Sequence, residues 1–330
     1  MEKGECSSFI LSRLDLDDIE EVVWEPYHKD GPGRPPRNPL GIFKALIVKR
    51  LRHVPSDREL YRRLWNDPLL RMICDIEAEE RPYHPTQLTR FRRRVGPEKL
   101  EKIMNLMVEE LVEGGVIDGE TVVMDATFIK AYSKREPHDN SRGSSDPDAR
   151  VGRSGKTYEL GYKVHIAADS ESELPIAFIV APANENEKKH AYKLLDKTLE
   201  ATKGRVKKLV ADSQYSSRRL REKSSAHGVE AVIPYPANQR PREKGLLRVD
   251  EHFRTHGPAR ERRIYRRRAS IERMISRLKE QPGLNRHRVR GLTNLTVHVL
   301  MSIITMLLVA VAALRLKRLE KIRSIALLGW

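Results

Sequence analysis

Cysteine is nearly absent: two residues, Cys6 and Cys74, stand in a chain of 330. They are far apart, and neither belongs to a Cys-x-x-Cys or Cys/His spacing. Neither a disulfide framework nor a cysteine zinc site is indicated, and a reducing, cytoplasmic setting fits. The opening residues also lack a charged-then-apolar secretory pattern. Charge is missing altogether from Leu292 to Leu314, a length that could cross a bilayer. Asn294, His298, Ser302 and Thr305 interrupt that stretch, and basic residues flank both of its ends. With no inside–outside asymmetry, a buried core helix is expected there and not a membrane span.

Acid is scarce where base is dense. The chain holds 62 Lys and Arg against 46 Asp and Glu, a formal net charge of +16. Between Arg240 and Lys279, fourteen Lys or Arg face five Asp or Glu. The N-terminal third adds Lys49, Arg50 and Arg52, and the run Arg90, Arg92, Arg93, Arg94. Clustered base favours a polyanionic partner, bound through phosphate contacts and counterion release.

The first third reads as helical. Leu40, Phe43, Leu46, Ile47 and Val48 mark one amphipathic helix. Ser56 followed by Glu59 is a capping-box pattern opening a second, and Pro68 starts a short third. A fourth begins near His84, and Pro97 opens a long one ending at Gly114-Gly115. Several short helices with a basic last one suit a helix-turn-helix-like module, with a helical support or dimerisation domain as the alternative.

Character changes after Gly115. Strands are expected at 120–129, 158–168, 175–181, 206–212 and 229–234, with a polar loop at 134–155 and helices at 187–203 and 217–225. A basic insertion covers about 235–260, and two helices close the chain. Three strands in sequence invite an antiparallel meander, and strands alternating with helices invite parallel neighbours. The expected fold is α/β: a ribonuclease H-like mixed five-stranded sheet flanked by helices, preceded by an all-α N-terminal domain.

Three carboxylates stand out. Asp125 interrupts an otherwise apolar strand, where a charge is costly unless paired or bound to a metal. Asp212 ends a strand, a common ligand position in open α/β sheets. Glu272 lies in the most basic stretch, with Tyr265, Arg268 and Lys279. On one continuous helix the offsets of 3, 7 and 14 residues from Tyr265 put these four side chains within about 60° of one another. Three convergent carboxylates would suit two Mg²⁺ ions, with Mn²⁺ as a substitute.

These residues resemble the DDE transposases of prokaryotic insertion sequences, in the class defined by a Tyr-Arg-Glu-Lys signature. Tyr265, Arg268, Glu272 and Lys279 meet its spacing. Asp125 in Met-Asp-Ala-Thr looks like the first catalytic aspartate, Asp212 in Val-Ala-Asp-Ser-Gln-Tyr the second, and Glu272 the third acid. The segments 146–150 and 161–165 and the stretch from Gly33 to Phe91 resemble further parts of such proteins.

The resemblance implies metal-dependent cleavage at terminal inverted repeats and strand transfer into target DNA, by a homodimer on double-stranded DNA. It makes Asp125, Asp212 and Glu272 both catalytic and metal-ligating. Tyr265, Arg268, Lys279, Lys163, His165, Arg90 and Arg93 become the expected DNA contacts. Residues 1–116 would be the DNA-binding or support domain, 117–318 the catalytic domain and 319–330 a tail. Some members stack a tryptophan of the insertion on an extruded base; here 235–260 offers only Tyr235, His252 and Phe253. Two other readings share these features: a junction resolvase or similar nuclease, and a catalytically silent DNA-binding protein derived from a transposase.

Overall fold

Helix starts follow the capping residues. Asn38 accepts hydrogen bonds from the Leu40 and Gly41 amides (3.0 and 3.3 Å), with Pro39 in the first turn. Ser56 accepts from the Glu59 amide at 3.1 Å, and Asp67 from the Leu70 amide at 2.9 Å. The computed structural model describes residues 11, 14–27, 35–236 and 259–324. The aromatic candidates His252 and Phe253, and nearly all of the insertion, lie outside them.

Within these residues the chain divides into two compact units. The first gathers the residues up to Glu110 with Leu278–His287 and those from Thr293 onward; the second is Leu111–Arg277 with Arg288–Leu292. The boundaries expected from sequence assign the last long helix to the catalytic domain, whereas its residues from Thr293 fall in the first unit.

In the first unit, helices α1 (Asp17–Trp24), α2 (Pro39–Leu51), α3 (Asp57–Asn66) and α4 (Pro68–Ile73) precede the helical run α5 (Pro85–Glu113). Gly96, at φ 65°, breaks that run just before Pro97, so it is two helices across a kink, as the sequence predicts. Helix α2 is buried nearly all round, from Pro39 to Val48. Its Gly41 lies against the Tyr83 hydroxyl, which donates to the Cys74 carbonyl at 2.9 Å. The long apolar helix, numbered α10 below (Leu292–Arg315), has 94% of its most apolar window buried, as expected of a core helix. Arg50 of α2 ties to it by donating to Ser302 Oγ (2.9 Å) and the His298 carbonyl (3.1 Å). Burial draws that guanidinium down to about 9.

The second unit is built on a mixed sheet. Its strands are β1 (Thr121–Lys130), β2 (Arg150–Ser154), β3 (Thr157–Asp169), β4 (Pro175–Pro182), β5 (Lys208–Ala211) and β6 (Glu230–Val232). β1, β3 and β4 pair antiparallel, while β5 pairs parallel to both β1 and β6. This gives the core order β4-β3-β1-β5-β6. Helix α6 (Glu187–Ala201) packs on β3 and β4, α7 (Arg218–Ala226) on β6 and α6, and α8 (Ala259–Tyr265) on β5 and β6. The arrangement is the expected ribonuclease H-like one.

The sixth strand is a correction. β2 falls in the segment expected to be a polar loop, because only Gly152 of its five residues is buried and no alternation betrays it. Pairing with Thr157–Gly161 of β3 makes it a strand.

Candidate active site

Two of the three acids are brought together by strand register. The parallel ladder of β1 and β5 runs from Thr121↔Lys208 to Met124↔Ala211. The next residues are Asp125 and Asp212. Neighbouring strands lie about 4.8 Å apart, so the backbone at Asp125 in β1 and that at Asp212, just past the end of β5, are neighbours at one end of the ladder. Asp212 also caps the 3₁₀ turn Ser213–Tyr215, accepting from the Gln214 amide at 3.0 Å. Asp125 accepts from the Ala126 amide at 2.9 Å.

The third acid arrives by a broken helix. α8 ends at Tyr265, a 3₁₀ turn covers Arg266–Arg268, and α9 (Ala269–Glu280) follows. The expectation of one continuous helix with four side chains on one face is therefore corrected. A 3₁₀ turn winds tighter than an α-helix and changes the facing of what precedes it. Tyr265, expected at the DNA, is 1% exposed and belongs to the core. The 3₁₀ turn packs against β1 and β5. From it the Arg268 guanidinium reaches Glu272 Oε1 at 3.0 Å and Asp125 Oδ2 at 3.7 Å. Lys279 stands in the last turn of α9, two turns beyond Glu272.

Electrostatics join all three acids to that guanidinium. Burial raises the Asp125 carboxyl above its ordinary value, and Arg268 opposes the rise. Burial pulls Arg268 down, but Asp125, Tyr265, Glu272 and Asp212 together hold it above its usual value. The Arg268 Nε is buried without a hydrogen-bond partner among the described residues. Glu272 is the accessible member, its side chain 55% exposed.

Behind the acids lies a polar cluster. Tyr215 is fully buried and its phenol is raised by burial, then by Asp125, Asp212 and Glu187. It lies 3.1 Å from His165 Nδ1. Sequence reading did not count Tyr215 as part of the site, although its place three residues after Asp212 was the available signal.

His165, expected to touch DNA, is 0% exposed, stacked 4.8 Å from the His190 ring and held neutral at about 3 by burial. An interior ring cannot contact a duplex, so that expectation is corrected. Lys163 is committed to Glu187 at 2.6 Å, the two side chains 14% and 10% exposed. Its charge is neutralised inside the fold, which corrects its expected role as a DNA contact.

In the first unit, Arg90 and Arg93 are exposed on α5. Arg92, in the same basic run, is instead paired with Asp57.

Among the described residues, no three Asp, Glu, His or Cys side chains close around a single point as a ready ion cage. The donor set nevertheless suits a divalent cation: carboxylate oxygens only, that of Asp125 partly buried, gathered round a positive charge.

Two family models match the chain. One, described as Transposase DDE domain, covers residues 117–308, and the other, Transposase domain (DUF772), covers residues 3–94. No curated protein matches. Among solved structures, the piggyBac transposase synaptic complex with hairpin DNA is similar at 11% identity and TM-score 0.46, over 98% of this chain and 79% of that one. The Mos1 transposase paired-end complex with left transposon end is similar at 11% identity and TM-score 0.24, over 75% and 80%. A pre-cleavage Mos1 transpososome gives 10% and 0.24, over 86% and 98%. The fold rests on the sheet order, and the family on the match at 117–308: the chain belongs to the DDE transposases, enzymes that cleave and transfer DNA strands.

Proposed function

We propose that this transposase cuts DNA at the terminal inverted repeats of its element and joins the freed ends to target DNA, with Asp125, Asp212 and Glu272 as its catalytic acids. DDE transposases use divalent metal ions; Mg²⁺, as a pair, is the metal proposed here, with Mn²⁺ as substitute. What supports the assignment is that Asp125 and Asp212 directly follow the last rung of the β1–β5 ladder, while Asp125 and Glu272 both reach the Arg268 guanidinium.

Asp125, Asp212 and Glu272 would hold the metal through carboxylate oxygens. Bound there, it supplies Lewis-acid activation of a water or 3′-hydroxyl and charge neutralisation at the phosphorus. The residues of the chain do the rest. Asp125 is held in β1, and Asp212 directly after β5 as the cap of the 3₁₀ turn. Glu272, more exposed, completes the set from α9. Arg268 neutralises the acids and can donate to a phosphate oxygen, a planar donor suited to that contact.

Lys279, Arg90 and Arg93 are the further proposed phosphate contacts. Residues 1–116 are proposed as the DNA-binding domain and 117–318 as the catalytic domain. Each chain carries one set of three acids, so cutting two ends together calls for a homodimer on DNA. The setting proposed is cytoplasmic, at the nucleoid.

Incubation with Mg²⁺ and DNA carrying the element's repeats should give nicks at the repeat ends. Asp125→Ala, Asp212→Ala and Glu272→Ala should each abolish them while leaving DNA binding intact. Cleavage that persists in all three variants, or proceeds in excess chelator, would overturn the assignment. DNA binding with no cleavage by the unaltered chain would favour the catalytically silent reading.

A further inference from the structure

β3 ends at Asp169, which is fully buried and whose carboxylate organises the turn that follows. Its Oδ2 accepts from the Ser172 amide and hydroxyl (both 2.7 Å) and the Glu171 amide (3.2 Å), and its Oδ1 from the Gly119 amide (3.1 Å). The Glu173 amide closes the turn on the Asp169 carbonyl at 3.1 Å. Glu173 itself has φ 56°, the left-handed region that residues with a Cβ rarely occupy. Such a conformation persists where its surroundings over-determine it.

That backbone aims a carboxylate, 5% exposed, at α9. Arg273 donates to it through Nε (2.8 Å) and Nη2 (2.6 Å). Arg277 reaches it through Nη2 at 3.0 Å and also donates to the Glu173 carbonyl at 2.9 Å. Arg267 reaches Ser170 Oγ (3.0 Å) and Glu171 (2.7 Å) of the same turn. The arginines at 267, 273 and 277 therefore bracket Arg268 and Glu272 along the chain.

The apolar side of α9, with Ile271, Met274 and Ile275, gives adhesion to the core but little direction. Charge-assisted bonds to one fixed carboxylate supply direction.

We propose that Glu173 is a positioning residue for the reaction: by clamping Arg273 and Arg277, it sets the rotation and height of the helix on which Glu272 stands. The proposal rests on Glu272 being the third catalytic acid. Glu173 touches neither DNA nor metal and acts through α9.

The test uses the full chain, with Glu173→Gln, the pair Arg273→Gln/Arg277→Gln, and all three together. Asp196→Asn is the control, since it breaks an ion pair with Lys223 in the same unit on helices that carry none of the three acids. Two readouts are taken: amide hydrogen exchange over residues 269–277, and kcat and KM for cleavage of end DNA.

Glu173→Gln should speed exchange in that segment by about tenfold. It should lower kcat by up to about 100-fold, the scale of a roughly 1 Å misplacement, with KM for DNA within about twofold. The arginine pair should reproduce this, and the triple variant should be no worse than Glu173→Gln alone, because all disable one contact. Unchanged exchange in Glu173→Gln, additive losses, or equal loss in Asp196→Asn would overturn the clamp.

If Glu173→Gln does not fold, Glu173→Asp keeps the charge with a shorter reach. It should give intermediate exchange and kcat, and wild-type values would overturn the proposal. A wild-type chain without metal-dependent cleavage would sink the catalytic assignment, while the exchange comparison judges the clamp separately.

Discussion

Replacing Lys163 with methionine separates a structural cation from a DNA contact. Its ammonium lies 2.6 Å from Glu187 Oε1, the side chains 14% and 10% exposed. Methionine keeps the apolar stem and leaves the Glu187 charge without this partner. Removing one member of a buried pair costs about 3–5 kcal/mol, and the residual exposure here favours the lower end, about 3 kcal/mol. For a unit of this size that corresponds to a melting temperature lower by roughly 6–12 °C. The double variant Lys163→Met/Glu187→Leu removes both charges and should recover to within about 1 kcal/mol of the parent. Thermal and denaturant unfolding of the parent, the single variants Lys163→Met and Glu187→Leu, and the double variant gives the coupling directly. Affinity for end DNA at several salt concentrations supplies the second axis. A lost phosphate contact would reduce the slope of log K against log salt by about 0.9, whereas a structural pair leaves it unchanged. An unaltered melting temperature together with a reduced slope would refute the structural assignment and restore Lys163 to the DNA surface.

Three further outcomes follow from the same structure. Burial raises the Asp125 pKa in the fold, so the term it contributes weakens as pH rises from the ordinary carboxylate value through the raised one. Asp125→Asn should therefore abolish cleavage while holding or raising the melting temperature at pH 7; a fall beyond about 4 °C, on the order of 1 kcal/mol, would contradict this. His165 is lowered to about 3, so its contribution is complete above pH 6.5 and lost as pH falls toward 3. At pH 5 the loss is about 2 kcal/mol, and His165→Gln should remove that part of the difference between unfolding free energies at pH 7 and pH 5. Equal pH dependence in both proteins would refute it. Gly41→Ala places a methyl group on the Tyr83 hydroxyl and the Cys74 carbonyl. It should destabilise the first unit by about 2 kcal/mol, the scale of overpacking. Tyr83→Phe should relieve part of that loss, and a neutral Gly41→Ala in unfolding measurements would show the contact to be looser than described.

Much of the architecture was legible because local chemistry and tertiary structure agree. The capping box at Ser56, the helix starts at Pro68 and Pro97 and the strand containing Asp125 each carry their structure in their own neighbours. β2 was hidden because Arg150–Ser154 buries only a glycine and owes its form to β3. The facing of Tyr265 is not legible because a 3₁₀ turn among three arginines leaves no mark in apolar periodicity. His165 and Lys163 illustrate a different limit. Polar letters on a strand read as surface, whereas here they turn inward, His165 against Tyr215 and His190 and Lys163 against Glu187. Which cations remain exposed, as Arg90 and Arg93 do, depends on acids far away in sequence, such as the Asp57 that takes up Arg92.

The four-rung parallel ladder between β1 and β5 has a consequence for how such a chain can diversify. The backbone placement of Asp125 beside Asp212 follows from Val122–Met124 lying against Leu209–Ala211, and not from the length of chain between Lys130 and Lys208. Segments inserted at the turns of that stretch lengthen the path from one acid to the other without altering their separation in space. The same holds for the insertion that precedes Ala259, since α9 is registered on the sheet after it. Recognition elements can thus be lengthened, exchanged or lost between the acids, while the distance that the chemistry depends on is kept by a handful of backbone hydrogen bonds.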